Sequence, residues 1–274
     1  MLFAEVNGIR LAYDVHGDQG EPVLLLGGTG MPGFAWQIAQ VPALIEAGFQ
    51  PITVDGRGVG QSDAPPGPYT VPELADDVAE LLKHLDLGPV HVVGLSQGGF
   101  VAEHLAGTRP ELLTSVTLIG SAGPATAYSR ARMRAWRDLM TTGVTIPDSV
   151  YILDNLTHSL PSVALQNEDD TVEKWNTLLS AQPHWHGPGL LGQHAACQDW
   201  LLETDRTGLW HQIGTRCLIV AFEHDLAFPP ASAREAARAI TGAQFVVLAG
   251  VGHANGMFDS AAELNATLVR FLTG

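Results

Sequence analysis

Cysteine is scarce in this chain: Cys197 and Cys217 are the only two in 274 residues. Neither belongs to a CxxC pair, and two thiols cannot cage a metal without other ligands, so a redox-motif or metal-cluster reading finds no support. A single disulfide is conceivable but is not expected of a cytosolic chain. Basic residues are also few, 14 Lys and Arg against 29 Asp and Glu, for a formal net charge of −15. A surface of that sign repels phosphate backbones and anionic lipid heads, which argues against nucleic acid and membrane surfaces as partners and leaves solubility as the plain meaning of the charge. No apolar run approaches the roughly 20 residues that span a bilayer. The opening MLFAEVNGIRLAYDVHG is broken by Glu5, Asn7 and Arg10 before an apolar stretch can form, so it does not read as a secretory leader. These absences predict a soluble, cytoplasmic protein.

What is present is a globular composition, 46% hydrophobic and 16% charged, long enough to bury a substantial core. No internal repeat or low-complexity linker interrupts it. Asn7-Gly8 reads as the turn of an N-terminal hairpin. Val23 to Leu26, Pro51 to Val54, Val90 to Val93, Ser115 to Ile119, Cys217 to Ala221 and Phe245 to Leu248 are short apolar runs, as expected of strands buried on both faces. Thr70-Val71-Pro72-Glu73 has the form of a capping box. Leu74, Val78, Leu81, Leu82 and Leu85 then share one helical face. Strands alternating with helices build a mostly parallel sheet covered on both sides, an α/β fold. The rhythm fails between about Pro124 and Gly208, where SRARMRAWRDLM and TVEKWNTLL are helical and no strand is evident. We therefore expect a core of residues 1–123 and 209–274 with a helical cap over 124–208, shaping a pocket above the strand ends.

Gly94-Leu95-Ser96-Gln97-Gly98 is a GxSxG placed between a buried strand and a helix. In that context the serine sits on a sharp turn with its hydroxyl exposed, and the flanking glycines remove side chains that would collide. A serine hydroxyl needs a base. Of eleven histidines, His253 lies in a glycine-flanked loop after a strand, Val251-Gly252-His253-Ala254. The base in turn needs an acceptor to hold its tautomer. Asp225, also on a loop after a strand, fits; Glu223 is its nearest rival, and Asp55 reads as a structural turn with Arg57 available to pair with carboxylates. Ser96, Asp225, His253 is the chain order of nucleophile-elbow hydrolases. For the oxyanion, the expected donors are the backbone N–H of Gln97 and one from Gly27-Gly28-Thr29-Gly30, at Thr29 with Gly28 as the neighbouring choice.

These motifs, with Asp55-Gly56-Arg57-Gly58-Val59-Gly60-Gln61-Ser62-Asp63 and Asp225-Leu226-Ala227-Phe228-Pro229, resemble the α/β-hydrolase superfamily over nearly the whole chain. The branch is that of small esterases, lactonases, thioesterase-like enzymes and cofactor-free haloperoxidases or perhydrolases. The resemblance departs from the branch at Gly27, where a histidine is usual. A serine nucleophile argues against the epoxide-hydrolase and dehalogenase members, which use aspartate.

The function expected is hydrolysis of an ester, lactone or thioester of a small to medium acyl group through an acyl-enzyme, without cofactor or metal, by a monomer or homodimer acting on a small molecule. The alternatives are elimination, cyclisation or perhydrolysis on the same site, or ligand binding without turnover. Met31, Phe34, Met257 and Phe258, near the oxyanion and histidine loops, are expected pocket walls, together with Trp136 and His194 of the insertion. The insertion also holds His158, Trp175, Trp200 and His184-Trp185-His186, whose HxH spacing lacks a third metal ligand.

Overall fold

The computed structural model describes residues 1–144, 146–181, 187–202 and 204–274. Strands β1 (Leu2–Val6) and β2 (Ile9–Val15) form the expected hairpin, with Val6 opposite Ile9. Asn7 and Gly8 both take positive φ (45° and 75°), the geometry a two-residue turn requires. The remaining strands are β3 (Glu21–Leu26), β4 (Phe49–Asp55), β5 (Val90–Leu95), β6 (Leu113–Ile119), β7 (Arg216–Phe222) and β8 (Gln244–Leu248). They join one eight-stranded sheet in the order β1-β2-β4-β3-β5-β6-β7-β8. Only the β1–β2 and β2–β4 pairings are antiparallel. From β4 to β8, therefore, all strands end on one edge, and the loops that follow them share one crest.

The apolar runs feed two cores because successive side chains leave a strand on opposite faces. Leu24, Leu26, Ile52, Val92 and Val116 belong to one core with α2 (Val71–Leu85) and α3 (Gln97–Thr108). Val23, Leu25, Val93 and Leu218 belong to the other, with α1 (Gln40–Glu46) and α11 (Ala261–Leu272). On α2, Leu74, Val78, Leu81 and Leu82 are buried as the periodicity predicts. Its capping box is half realised. The Thr70 hydroxyl accepts from the Glu73 N–H at 3.2 Å, but the Glu73 carboxylate turns to the Arg57 guanidinium, 3.2 Å away. A full charge nearby outcompetes a neutral N–H for the carboxylate. Arg57 itself is gripped through two 2.7 Å bonds by buried Asp77.

Between β6 and β7 the described residues form only helices: α4 (Ala127–Thr142), α5 (Asp148–Ser159), α6 (Ser162–Asn167), α7 (Asp169–Ala181), α8 (Pro188–Leu202) and α9 (Arg206–Trp210). This is the helical insertion, or cap. Ile152, Leu156, Leu160 and Trp175 give it a small core of its own. Arg206 stitches its end to the sheet. Its guanidinium donates to both oxygens of the fully buried Glu103 on α3, at 2.9 and 2.7 Å, and to the carbonyls of Gly123 and Ser121. Helix α10 (Pro230–Ala239) then precedes β8. Among the described residues, no helix is long and apolar enough to cross a membrane.

Candidate active site

Ser96 stands where β5 turns into α3. Its φ of 52° is a left-handed conformation that costs a non-glycine residue about 1–3 kcal/mol. The turn is held by surrounding backbone: the Ser96 N–H donates to the Ile119 carbonyl at 2.9 Å. A Cβ at Gly94 would collide with the Gly98 carbonyl, and one at Gly98 with the Leu26 carbonyl. The glycines of the motif are thus demanded by close backbone approach on both sides of the serine.

His253 and Asp225 arrive from the ends of β8 and β7, strands that lie on the same side of β5. His253 Nε2 is 3.0 Å from Ser96 Oγ, and His253 Nδ1 is 2.7 Å from Asp225 Oδ2. A carboxylate only accepts, so the proton sits on Nδ1 and Nε2 faces the serine as an acceptor. The other Asp225 oxygen accepts the N–H groups of Ala227 and Phe228 at 2.8 and 2.9 Å, which fixes the carboxylate in its own loop. Both residues are buried. Glu223, the rival acid, points elsewhere: it is half exposed and accepts from the Gly250 N–H. Asp55 accepts from Gly33 and Gln61 N–H groups and has no contact with the histidine, in keeping with a turn-building role.

The loop after β3 passes beside the serine. A Cβ at Gly28 would lie 3.4 Å from the Ser96 Cβ and 4.0 Å from its Oγ, which places this loop in contact with the nucleophile. Within that loop, the Gly30 N–H is spent on Gln193 Oε1 at 2.7 Å and the Met31 N–H on the Gly28 carbonyl at 3.0 Å. The Gln97 side chain turns toward the cap, donating to the Gln193 carbonyl and to Cys197 Sγ.

Above the triad lies a partly open cavity of about 160 Å³. Gly28, Thr29, Met31 and His194 line it; Phe34, Trp136, Met257 and Phe258 do not. In the short 3-10 turn Gly33–Ile38, Trp36 is the residue that goes inward and Phe34 is left 53% exposed, over a separate depression near Met1 and Tyr13. Met257 is consumed by the second core. Phe258 fills the joint between that core and the cap, edge-on to Trp175 at 5.8 Å. Trp136 stands one layer back, stacked on His194 with centroids 4.3 Å apart. Trp200 is buried in the main core, edge-on to His104. His184, Trp185 and His186 lie outside the described residues. Among the described residues, no group of three or more His, Cys, Asp or Glu is placed to hold a metal ion.

The cap supplies wall residues that the sequence does not single out, Ser129, Arg132 and Met133 from α4 and Tyr151 and Asn155 from α5, beside His158, which it does. The signal was there, since these fall at i, i+3, i+4 and at i, i+4, i+7, single helical faces. Burial pushes His158 well below the ordinary histidine range, with the charges of Arg132 and neighbouring histidines adding to it. His194 is lowered to about 3, again chiefly by burial. Cys197, also on the wall, is raised by burial, so it stays a thiol; both cysteines are free.

Comparison with known proteins agrees with this geometry. The chain is 33% identical over 267 residues, 96% of its length and 97% of the relative's, to BpoC of Mycobacterium tuberculosis, named as a candidate non-heme bromoperoxidase. The BpoC crystal structure superposes with a TM-score of 0.88 at 31% identity, covering 96% of this chain and 95% of that one. An enol-lactonase from Burkholderia xenovorans LB400 gives a TM-score of 0.83 at 26% identity over the full length of both chains. The rhodomycin D methylesterase DnrP of Streptomyces peucetius is 28% identical over 85% of each chain. With residues 21–260 matching the family model of the alpha/beta hydrolase fold, and a serine, a histidine and an aspartate hydrogen-bonded in series at the crest of its sheet, the chain belongs to the α/β-hydrolase family.

Proposed function

We propose that the protein hydrolyses an ester, lactone or thioester of a small to medium acyl group through a covalent acyl-enzyme. The observation that carries this reading is the strained Ser96 hydroxyl held 3.0 Å from an imidazole whose far nitrogen is clamped by a buried carboxylate. Ser96 Oγ attacks the carbonyl carbon while its proton passes to His253 Nε2. The imidazolium is stabilised by Asp225. We assign the oxyanion to the backbone N–H groups of Gln97 and Thr29. Support for Thr29 comes from its neighbours, because the Gly30 and Met31 N–H groups are already engaged. His253 then protonates the departing alcohol or thiol, and water repeats the sequence to free the acid. We read residues 124–208 as the lid of this site.

The name of the BpoC relative favours testing a second acceptor. Hydrogen peroxide in place of water would take the acyl group from Ser96 and leave as a peracid, with the same proton transfers through His253.

A panel of p-nitrophenyl esters, lactones and thioesters, with mass detection of products, tests the reading. Wild type should hydrolyse members of the panel and bind a fluorophosphonate at Ser96. Ser96→Ala should fold normally and do neither. Equal turnover by that variant overturns the mechanism.

A further inference from the structure

Although the chain is strongly acidic, Arg132 is the only Asp, Glu, Lys or Arg side chain among the described residues that line the cavity. It reaches there from α4 and is mostly buried, with a side-chain exposure of 13%. Asp154 on α5 holds it from behind, accepting from Nε at 3.2 Å and Nη2 at 2.5 Å, and is itself bonded by the Trp136 indole N–H. That grip engages one edge of the guanidinium, leaving Nη1 outside the pair. Next to it, two buried ring nitrogens, Nδ1 of His158 and Nε2 of His194, have no hydrogen-bond partner within the protein. Both residues line the cavity. An unsatisfied buried polar atom costs about 1–3 kcal/mol, and such atoms in a native site call for a partner from outside the chain. A buried ion pair is also weak evidence for stability, since apolar residues often serve as well. A salt bridge joining two cap helices would not need to open onto the cavity.

We propose that Arg132, with His194 and His158 beside it, forms a subsite for a carboxylate carried by the substrate away from the scissile bond. This rests on the hydrolase reading and narrows it to anionic esters or lactones. The carboxylate takes the free edge of the guanidinium and the N–H of a neutral imidazole, a charge-assisted arrangement stronger than its neutral counterpart. The Asp154 counter-charge lowers the affinity for the anion while fixing where the guanidinium points.

The test is binding to the Ser96→Ala variant, which does not depend on turnover. Two matched pairs cover both sides of the scissile bond: p-nitrophenyl butyrate against p-nitrophenyl hydrogen succinate, and phenyl butyrate against p-carboxyphenyl butyrate. At least one anionic member should bind ten times or more tighter than its neutral partner. Adding Arg132→Met should erase that preference and leave the neutral affinity within a few-fold, which also reports an intact pocket. Asp154→Asn keeps the shape of the pair, removes the counter-charge and should strengthen the preference. Equal affinities within both pairs, or a preference that survives Arg132→Met, overturn the proposal. Hydrolysis of the neutral esters by the wild type tests the parent reading separately.

Discussion

The imidazole of His158 lies over that of His253, with ring centroids 4.2 Å apart and planes tilted by 41°. A cap helix thus sets one face of the catalytic base, and it does so with a ring that burial keeps neutral. A second cation there would repel the imidazolium that forms in the transition state. His158→Phe, which preserves the packing, should keep kcat on a neutral ester within a few-fold. His158→Lys should lower it tenfold or more. Similar rates in the two variants would remove any electrostatic role for this position.

The same burial ties stability to pH. His194 has a folded-state pKa of about 3, far below its ordinary value, because desolvation disfavours the cation and Arg132 adds to it. Below pH 6.5 the unfolded chain takes up a proton that the folded chain refuses, so stability falls as pH falls, until the folded value is reached; above 6.5 the contribution is constant. Urea unfolding between pH 6.5 and 5 should show the wild type losing about 1 kcal/mol per pH unit more than His194→Leu. Parallel curves would mean that the ring is protonated in the folded protein.

Asp225 and Glu223 are two residues apart, yet only one reaches the base. Asp225→Asn leaves the packing in place and frees the wrong tautomer, so kcat should drop by roughly 10³–10⁴. Glu223→Gln, at a side chain that meets the Gly250 N–H and the exposed His224 ring and not the catalytic base, should leave kcat unchanged. Steady-state kinetics on one ester suffices, and a large loss in Glu223→Gln would reassign the acid.

Gln193 of α8 is a positioning residue at the join of cap and core. Its side chain accepts from the Gly30 N–H at 2.7 Å and donates to the Arg57 carbonyl at 2.9 Å, while its own carbonyl receives the Gln97 amide. It thereby holds both segments to which the oxyanion donors are assigned. Gln193→Leu should lower kcat by at least tenfold with little change in KM, because misaligned donors weaken transition-state binding more than substrate binding. A rise in KM alone would point to a role in substrate contact instead.

Arg206 and Glu103 form the buried pair that closes the insertion onto α3. Removing one partner strands the other charge without solvent, so Arg206→Met should destabilise the fold by about 3–5 kcal/mol. Arg206→Met with Glu103→Leu should recover much of that loss. Denaturant midpoints of the single and double variants read the difference.

What the sequence alone determined is local. The Asn7-Gly8 hairpin, the apolar strands, the glycines around Ser96 and the order serine, aspartate, histidine follow from side-chain period and backbone demands that act between near neighbours. The parallel sheet then brings loops far apart in the chain to one crest. What only the tertiary structure decided is which neighbour faces the site. Phe34 and Met257 sit close to catalytic loops in sequence but turn outward or into the core, whereas Arg132, Asn155 and His158 reach the cavity from the insertion. Proximity along the chain sets position to within a turn; the direction of a side chain depends on helix phase and on the partners that compete to bury it.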